Sequence, residues 1–225
     1  YKAAELVREL VRRGSQVRVI MTEHACRFVA PLTFETLSGN PAATDLFRAP
    51  GPFELGHISL AEFAETLVIA PATADLIGKM AAGIADDLLT TVILAVQSPI
   101  LICPAMNERM YANVAVRENL AKLASRGHSV LEPVYGELAC RVEGQGRLAE
   151  PAGEVAHAAA RVAAHPFGQD LGERGVRRAG GGETLAGGGV RGGGAVPFQL
   201  GIGVVDAAAA HAVEVRDDGD HLHGV

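Results

Sequence analysis

The sequence predicts an α/β protein: a three-layer, Rossmann-like (flavodoxin-like) parallel sheet with helices on both faces. Three observations carry this. Short apolar runs at 16–21, 66–70 and 99–103 read as strands buried on both faces. Segments of helical periodicity separate them. Two proline-led polar turns, Pro71-Ala-Thr-Ala-Asp75 and Pro104-Ala-Met-Asn107, stand at the ends of two of these strands, where such sheets bind ligands.

Residues 3–13 repeat apolar positions at helical spacing and stop at Gly14, ahead of the strand 16–21. Residues 23–38 read as helix with a break at Pro31, and 40–56, rich in Pro, Gly and Phe, as a surface loop. A short helix at 57–65 leads to the strand 66–70. Helical segments at 74–80 and 87–96 lead to the strand 99–103. Residues 107–126 are helical up to Gly127, a short strand follows at 129–132, and 134–150 form a loop or small hairpin. An Ala-rich helix at 152–164 closes the domain at Pro166. After Leu171 the composition changes. Glycine triplets at 180–182, 187–189 and 192–194 remove any hydrophobic period, so this segment is expected to be disordered and not to pack. Residues 199–215 regain apolar character in isolation, and the His/Asp end at 217–223 reads either as a metal-binding tail or as a solvated terminus, with the latter preferred.

Composition narrows the function classes. With 225 residues, 48% of them hydrophobic, the chain has material for one good core. A net charge of −6 and the lack of a Lys/Arg run give no reason to expect nucleic acid. No apolar run approaches the roughly 20 residues of a membrane span, so no membrane partner is expected. Three cysteines, Cys26, Cys103 and Cys140, cannot all pair and form no Cys-x-x-Cys cluster, which favours a reducing, cytoplasmic setting and no metal site.

Several residues stand where chemistry is possible. His57 lies where a loop meets a helix and can serve as acid, base or hydrogen-bond anchor, although alone it is equally a helix-capping or surface histidine. The turn at 71–75 offers backbone N–H groups and the Thr73 hydroxyl at a helix start, either as a ligand cradle or as an ordinary capped turn. Asn107 follows a strand end, where a carboxamide can donate to a carboxylate without adding charge. Met106 can pack on a flat ring or fill core. Cys140, in a glycine-bearing loop, is the cysteine placed to be accessible and titratable.

In order along the chain, His57, Pro-Ala-Thr-Ala-Asp, Gly83-Ile-Ala-Asp-Asp-Leu-Leu89, Pro-Ala-Met-Asn and Ala139-Cys140 with Gly146-Arg147 resemble the flavin-dependent cysteine decarboxylase family. The likeness covers residues 1–171 and is greatest to the phosphopantothenoylcysteine decarboxylases of coenzyme A biosynthesis. It implies an FMN cofactor and a homo-oligomer, trimer or dodecamer, with FMN between subunits. It further implies oxidation of the substrate's cysteine side chain to a thioaldehyde, loss of the adjacent carboxylate as carbon dioxide, and reduction to 4'-phosphopantetheine. On this likeness His57 matches the active-site histidine, Asn107 the residue that holds the substrate carboxylate, and Cys140 the proton donor. Thr22, Phe28, Ala72, Thr73 and Met106 match flavin-contacting turns, and Ala105, Met106 and Asn107 the substrate-binding segment. A peptidyl-cysteine decarboxylase, a flavin prenyltransferase and a non-catalytic regulatory subunit of the same fold remain alternatives.

The pattern departs in three places. In relatives a strand and a Gly-Gly-Ile-Ala-Ala turn precede the Tyr-Lys pair that opens this chain. Tyr1 is therefore expected to begin a fragment, with the N-terminal strand and phosphate-holding turn missing from a domain at 1–165. Arg141 stands where many relatives carry glycine, and Tyr111 where several carry tryptophan. Residues 169–174 look like the first residues of a ligase half, and a frame slip near residue 175 accounts for the Gly, Arg and Ala runs in the tail at 166–225. Translation of the downstream DNA in the other two frames is expected to restore an apolar strand and a Thr-Ala-Gly-Gly-Thr turn. Finding neither would mark the tail as a natural extension.

Overall fold

The computed structural model describes residues 1–47, 56–138 and 143–164 in full, and the backbone of 176–177 and 199–204. Helix α1 (Lys2–Arg12) buries Ala3, Leu6, Val7 and Leu10 along one face, the stripe of an amphipathic helix laid on a sheet. Gly14, at φ 88°, reverses the chain into β1 (Gln16–Met21). Lys2 fastens the start of α1 from a distance, its Nζ donating to the Leu148 carbonyl at 2.7 Å and to Glu150 Oε1 at 3.0 Å.

Helices α2 (Glu23–Phe28) and α3 (Pro31–Ser38) replace what periodicity alone would run together. Pro31 takes the first position of α3 and holds Ala30 in an extended conformation. Then follow α4 (Gly56–Phe63), β2 (Thr66–Ala72), α5 (Ala74–Ala82), α6 (Leu88–Ala95) and β3 (Ile100–Pro104). Helix α6 opens on a capping box: Asp87 Oδ1 accepts from the Thr90 N–H at 2.7 Å, while Thr90 Oγ1 accepts from the Asp87 N–H at 3.0 Å. The helix expected at 107–126 is in fact two, α7 (Glu108–Tyr111) and α8 (Val114–Ser125), because Asn113 starts a new one by accepting from the Ala115 N–H. After β4 (Ser129–Leu131) come the antiparallel hairpin β5 (Val134–Glu137) and β6 (Glu143–Arg147), a π-helical turn at Pro151–Val155, and α9 (Ala156–Ala164).

The main sheet runs β1-β8-β2-β3-β4-β7, where β7 is Val176–Arg177 and β8 is Gln199–Val204. All neighbours are parallel except β4 and β7. Alternate residues feed two cores, as period-two strands must. Val17, Val19, Met21, Val68, Ala70, Leu101 and Cys103 meet α1, α3 and α9 on one face. Ile20, Leu67, Ile69, Ile100 and Ile102 share the other core with residues of α4, α5, α6 and α8. This is the three-layer arrangement expected.

Two further expectations need correction. Part of the supposed surface loop at 40–56 lies on the sheet: Ala43 forms a parallel bridge with Ile20, donating to the Val19 carbonyl at 2.8 Å and accepting from the Met21 N–H at 2.9 Å. Residues 48–55 lie outside the described residues. Residues 199–204, expected not to pack, form a strand paired on both sides, Ile202 lying opposite Val19 and Val68. That pairing is made by main-chain groups, which the glycines at 201 and 203 supply as well as any residue. The gap between β1 and β2 is thereby filled. The glycine triplets, the 205–225 end and most of the proposed ligase onset lie outside the described residues.

Two outcomes test this architecture. Ile202→Pro removes a ladder donor from an interior strand, and a loss of about 1–3 kcal/mol or more is expected in urea unfolding. His128, half-buried between α8 and β4, has its pKa lowered by burial and then by Arg126. The folded form therefore binds protons less readily than the unfolded chain. Its contribution to stability is complete above the ordinary value of about 6.5 and falls as pH drops through it. Thermal melts across that range should show the decline, and His128→Gln should remove it.

Candidate functional site

Strands β1, β2 and β3 end on the same edge of the sheet, and each passes the chain to a helix through a side-chain cap. Thr22 Oγ1 accepts from the Ala25 N–H at 3.1 Å, Thr73 Oγ1 from the Leu76 N–H at 3.3 Å, and Asn107 Oδ1 from the Arg109 N–H at 2.9 Å. The positive end of α5 thus opens at the carboxyl edge, where it favours electron-rich ligand atoms. The Asn107 cap uses the acceptor half of the carboxamide.

The two proline-led turns are joined. The Ala105 N–H donates to the Ala72 carbonyl at 3.0 Å, continuing the β2–β3 pairing past the bulge between Ile69 and Ala72. Ala72 and Thr73 are buried, Met106 is only 5% exposed, and Ala105 and Asn107 are half-buried. Ala72 and Met106 belong to one apolar core, and each is followed directly in sequence by the residue that caps the next helix, Thr73 and Asn107. Thr22 follows β1 directly and is separated from the β2 turn because β8 intervenes, while Phe28 stands at the far end of α2 and is exposed. His57 comes from another element, the first turn of α4, which packs on α6 and β8. It is half-buried there. Cys140 lies outside the described residues, in the segment that connects β5 to β6.

The thiols separate by environment. Cys103 is fully buried at the end of β3, and burial pushes its pKa far up, which makes it an inert core residue. Cys26 is half-buried, with its pKa raised by burial and then by Glu23. Among the described residues no group of three His, Cys, Asp or Glu side chains could hold a metal ion, and no helix is long and apolar enough to cross a membrane.

Two features were not singled out from the sequence. Lys79 bridges Asp75 at 3.2 Å and Asp86 at 3.0 Å, tying the start of α5 to the loop before α6. The Asp86 bond is the chief cause of a raised Lys79 pKa, and Lys79 of a lowered Asp86 pKa. Second, β6 lies against the Asn107 turn. The Met106 N–H donates to the Gly146 carbonyl at 3.0 Å, and Gly144 and Gly146 are both buried. The Gly-x-Gly spacing, two small residues on one face of a strand, was the available signal.

Thr73→Ala should cost about 1 kcal/mol in urea unfolding through loss of the α5 cap, and Thr73→Ser should keep nearly all of it.

The sequence model of the flavoprotein family, described simply as Flavoprotein, matches residues 1–162. The coenzyme A biosynthesis bifunctional protein CoaBC of Vibrio parahaemolyticus is 49% identical over 151 residues, which is 67% of this chain and 38% of that protein. The chain thus spans well under half the length of this curated relative. Among solved structures, the FMN-dependent cysteine decarboxylase SpaF superposes with a TM-score of 0.60 at 31% identity, over 72% of this chain and 92% of its own. A PPC decarboxylase mutant complexed with pantothenoylaminoethenethiol gives 0.60 at 29%, over 67% and 85%. With a match across 1–162 on a fold of this shape, the chain belongs to the flavoprotein family.

Proposed function

We propose that residues 1–165 form an FMN-dependent decarboxylase domain that converts 4'-phospho-N-pantothenoylcysteine to 4'-phosphopantetheine in coenzyme A biosynthesis. The observation that supports this is the Ala105–Ala72 hydrogen bond, which ties the turn before the Asn107 cap to the turn before the Thr73 cap. A 49% identical relative named for that pathway supports the substrate class.

The residues present suit the ring of a flavin. A flat aromatic group with polar edges needs apolar groups with hydrogen-bonding groups beside them, and the apolar Ala72 and Met106 with the Thr73 hydroxyl are of that kind by chemistry, all three being buried within this chain. When bound, FMN supplies the two-electron oxidation of the substrate and the returning reduction. The chain's own residues bind and orient. The Asn107 Nδ2 donates to the substrate carboxylate and holds it until it leaves as carbon dioxide, adding no charge that would favour its retention. Ala105 and Met106 shape the wall beside it. His57, at the mouth of α4, acts as the active-site acid or base, and Cys140 returns a proton to the decarboxylated product. Thr22 and Phe28 contact cofactor from the β1 side. Phe28, Leu32, Leu94, Val114 and Tyr135 are exposed, which suits a homo-oligomer, trimer or dodecamer, in which a second subunit covers part of this surface. A cytoplasmic setting belongs to the same proposal.

A peptidyl-cysteine decarboxylase is the second reading, in keeping with the likeness to SpaF, an FMN-dependent cysteine decarboxylase. Purified protein loaded with FMN should be yellow and release carbon dioxide from phosphopantothenoylcysteine, and sedimentation should show an oligomer. Asn107→Ala should cut kcat/KM by at least about tenfold, as loss of a hydrogen bond to a charged group implies. Turnover only of peptides with a C-terminal cysteine would favour the second reading. A colourless protein inactive on both would leave a regulatory subunit.

A further inference from the structure

Gly146 sits where no other residue fits without moving main chain. A Cβ built there would overlap the Met106 carbonyl oxygen and stand 3.2 Å from the Met106 carbonyl carbon and 3.4 Å from the Glu108 nitrogen. These are backbone atoms flanking Asn107, and a turn cannot yield as a side chain does. Gly144, two residues earlier on the same face of β6, is constrained more softly, since the atoms nearest its Cβ would be Oε2, Cδ and Cβ of the Glu108 side chain, from 2.6 Å outward. The far end of a flexible carboxylate can move aside. Gly153, in the π-helical turn, has open space around it.

The close approach is used. Gly146 accepts from the Met106 N–H at 3.0 Å, and β6 packs along α7, which Asn107 caps. On its other side the turn is held by the Ala105–Ala72 bond. Residues 105 and 106, immediately before Asn107, are therefore pinned from two directions, by β2 and by β6. The hairpin partner of Gly144 is Gly136, so the region of β5–β6 nearest its connection also runs without side chains on that face.

We infer that Gly146 is a positioning residue for Asn107: its missing side chain lets β6 seat directly on the Ala105–Glu108 backbone and sets where the carboxamide stands. The inference rests on the reading that Asn107 holds the substrate carboxylate. Replacement by alanine pushes the strand and turn apart, breaks the Met106–Gly146 bond and displaces the Nδ2 donor, leaving the Thr73 side of the site in place.

The test uses the full chain with FMN and two inert probes that differ only in the carboxylate, phosphopantothenoylserine and the corresponding ethanolamide. Hydroxyls replace the reactive thiol in both. Binding is followed by the visible flavin spectrum, and the Met106 amide by hydrogen exchange. Gly146→Ala should speed exchange at Met106 and reduce the preference for the carboxylated probe about tenfold, with little change in ethanolamide affinity. Asn107→Ala should lose the same preference, the double variant no more than either alone. Gly144→Ala should show a smaller loss and Gly153→Ala none. Unchanged exchange in Gly146→Ala, or faster exchange with the preference retained, overturns the inference. If Gly146→Ala does not fold, a wild-type preference in Gly144→Ala overturns it instead. A wild-type protein that binds both probes equally sinks the carboxylate role of Asn107, while the exchange rates still decide whether Gly146 holds the turn.

Discussion

Parallel pairing of β2 and β3 continues past the strands themselves as the hydrogen bond from the Ala105 N–H to the Ala72 carbonyl, and the site depends on that continuation. Two turns that are far apart in sequence become one surface because their strands are neighbours and both end on the same edge. Each turn then spends a polar side chain on starting a helix, Thr73 for α5 and Asn107 for α7. Capping fixes the rotamers of these side chains as well as satisfying helix donors. A site built from caps inherits the rigidity of the sheet beneath it.

That rigidity comes from burial on both faces. Val68, Ala70, Leu101 and Cys103 go to one core and Leu67, Ile69, Ile100 and Ile102 to the other, so β2 and β3 have no solvent face along their length. A shift of one residue in either strand would exchange the two sets and move both turns. On the other side of β2 the pairing is with β8, from the far end of the chain, which also pairs with β1. The cap at Thr22 is thus held at a fixed separation from Thr73 by a strand between them. The hairpin β5–β6 completes the enclosure from outside the main sheet, through glycines that allow backbone to lie on backbone.

Much of this was legible in the sequence, for reasons that can be named. The apolar runs at 66–70 and 99–103 are too short for helices and too continuous for a half-exposed sheet, so they read as buried parallel strands. Gly14 and Gly127 marked helix ends and both take positive φ. Pro31 marked the break between α2 and α3. The cap at Thr73 was legible as a hydroxyl at a helix start, whereas Asn107, read as a carboxylate donor, proves to cap α7 as well. Elsewhere local pattern misled. Asn113 divides a segment of continuous helical period because an Asx side chain competes with the helix for its own backbone. Ala43 has no strand period around it, and residues 199–204 alternate Leu200, Ile202 and Val204 with Gln and Gly but stand alone in a glycine-rich stretch, with pairing partners remote in sequence.

By itself the sequence determined the layer architecture, the strand ends and the residue types at them, because hydrophobic period, capping and proline are local properties of the chain. The motif order also determined the family. Only the tertiary structure decided which strand ends are adjacent: β3 lies beside β2, β8 separates β2 from β1, and His57 arrives on α4. Only it showed that the Asn107 turn is pinned by Gly146 as well as by Ala72. Adjacency across a sheet is set by the packing of the whole chain, and a contact between two backbones leaves no more trace in a sequence than a glycine.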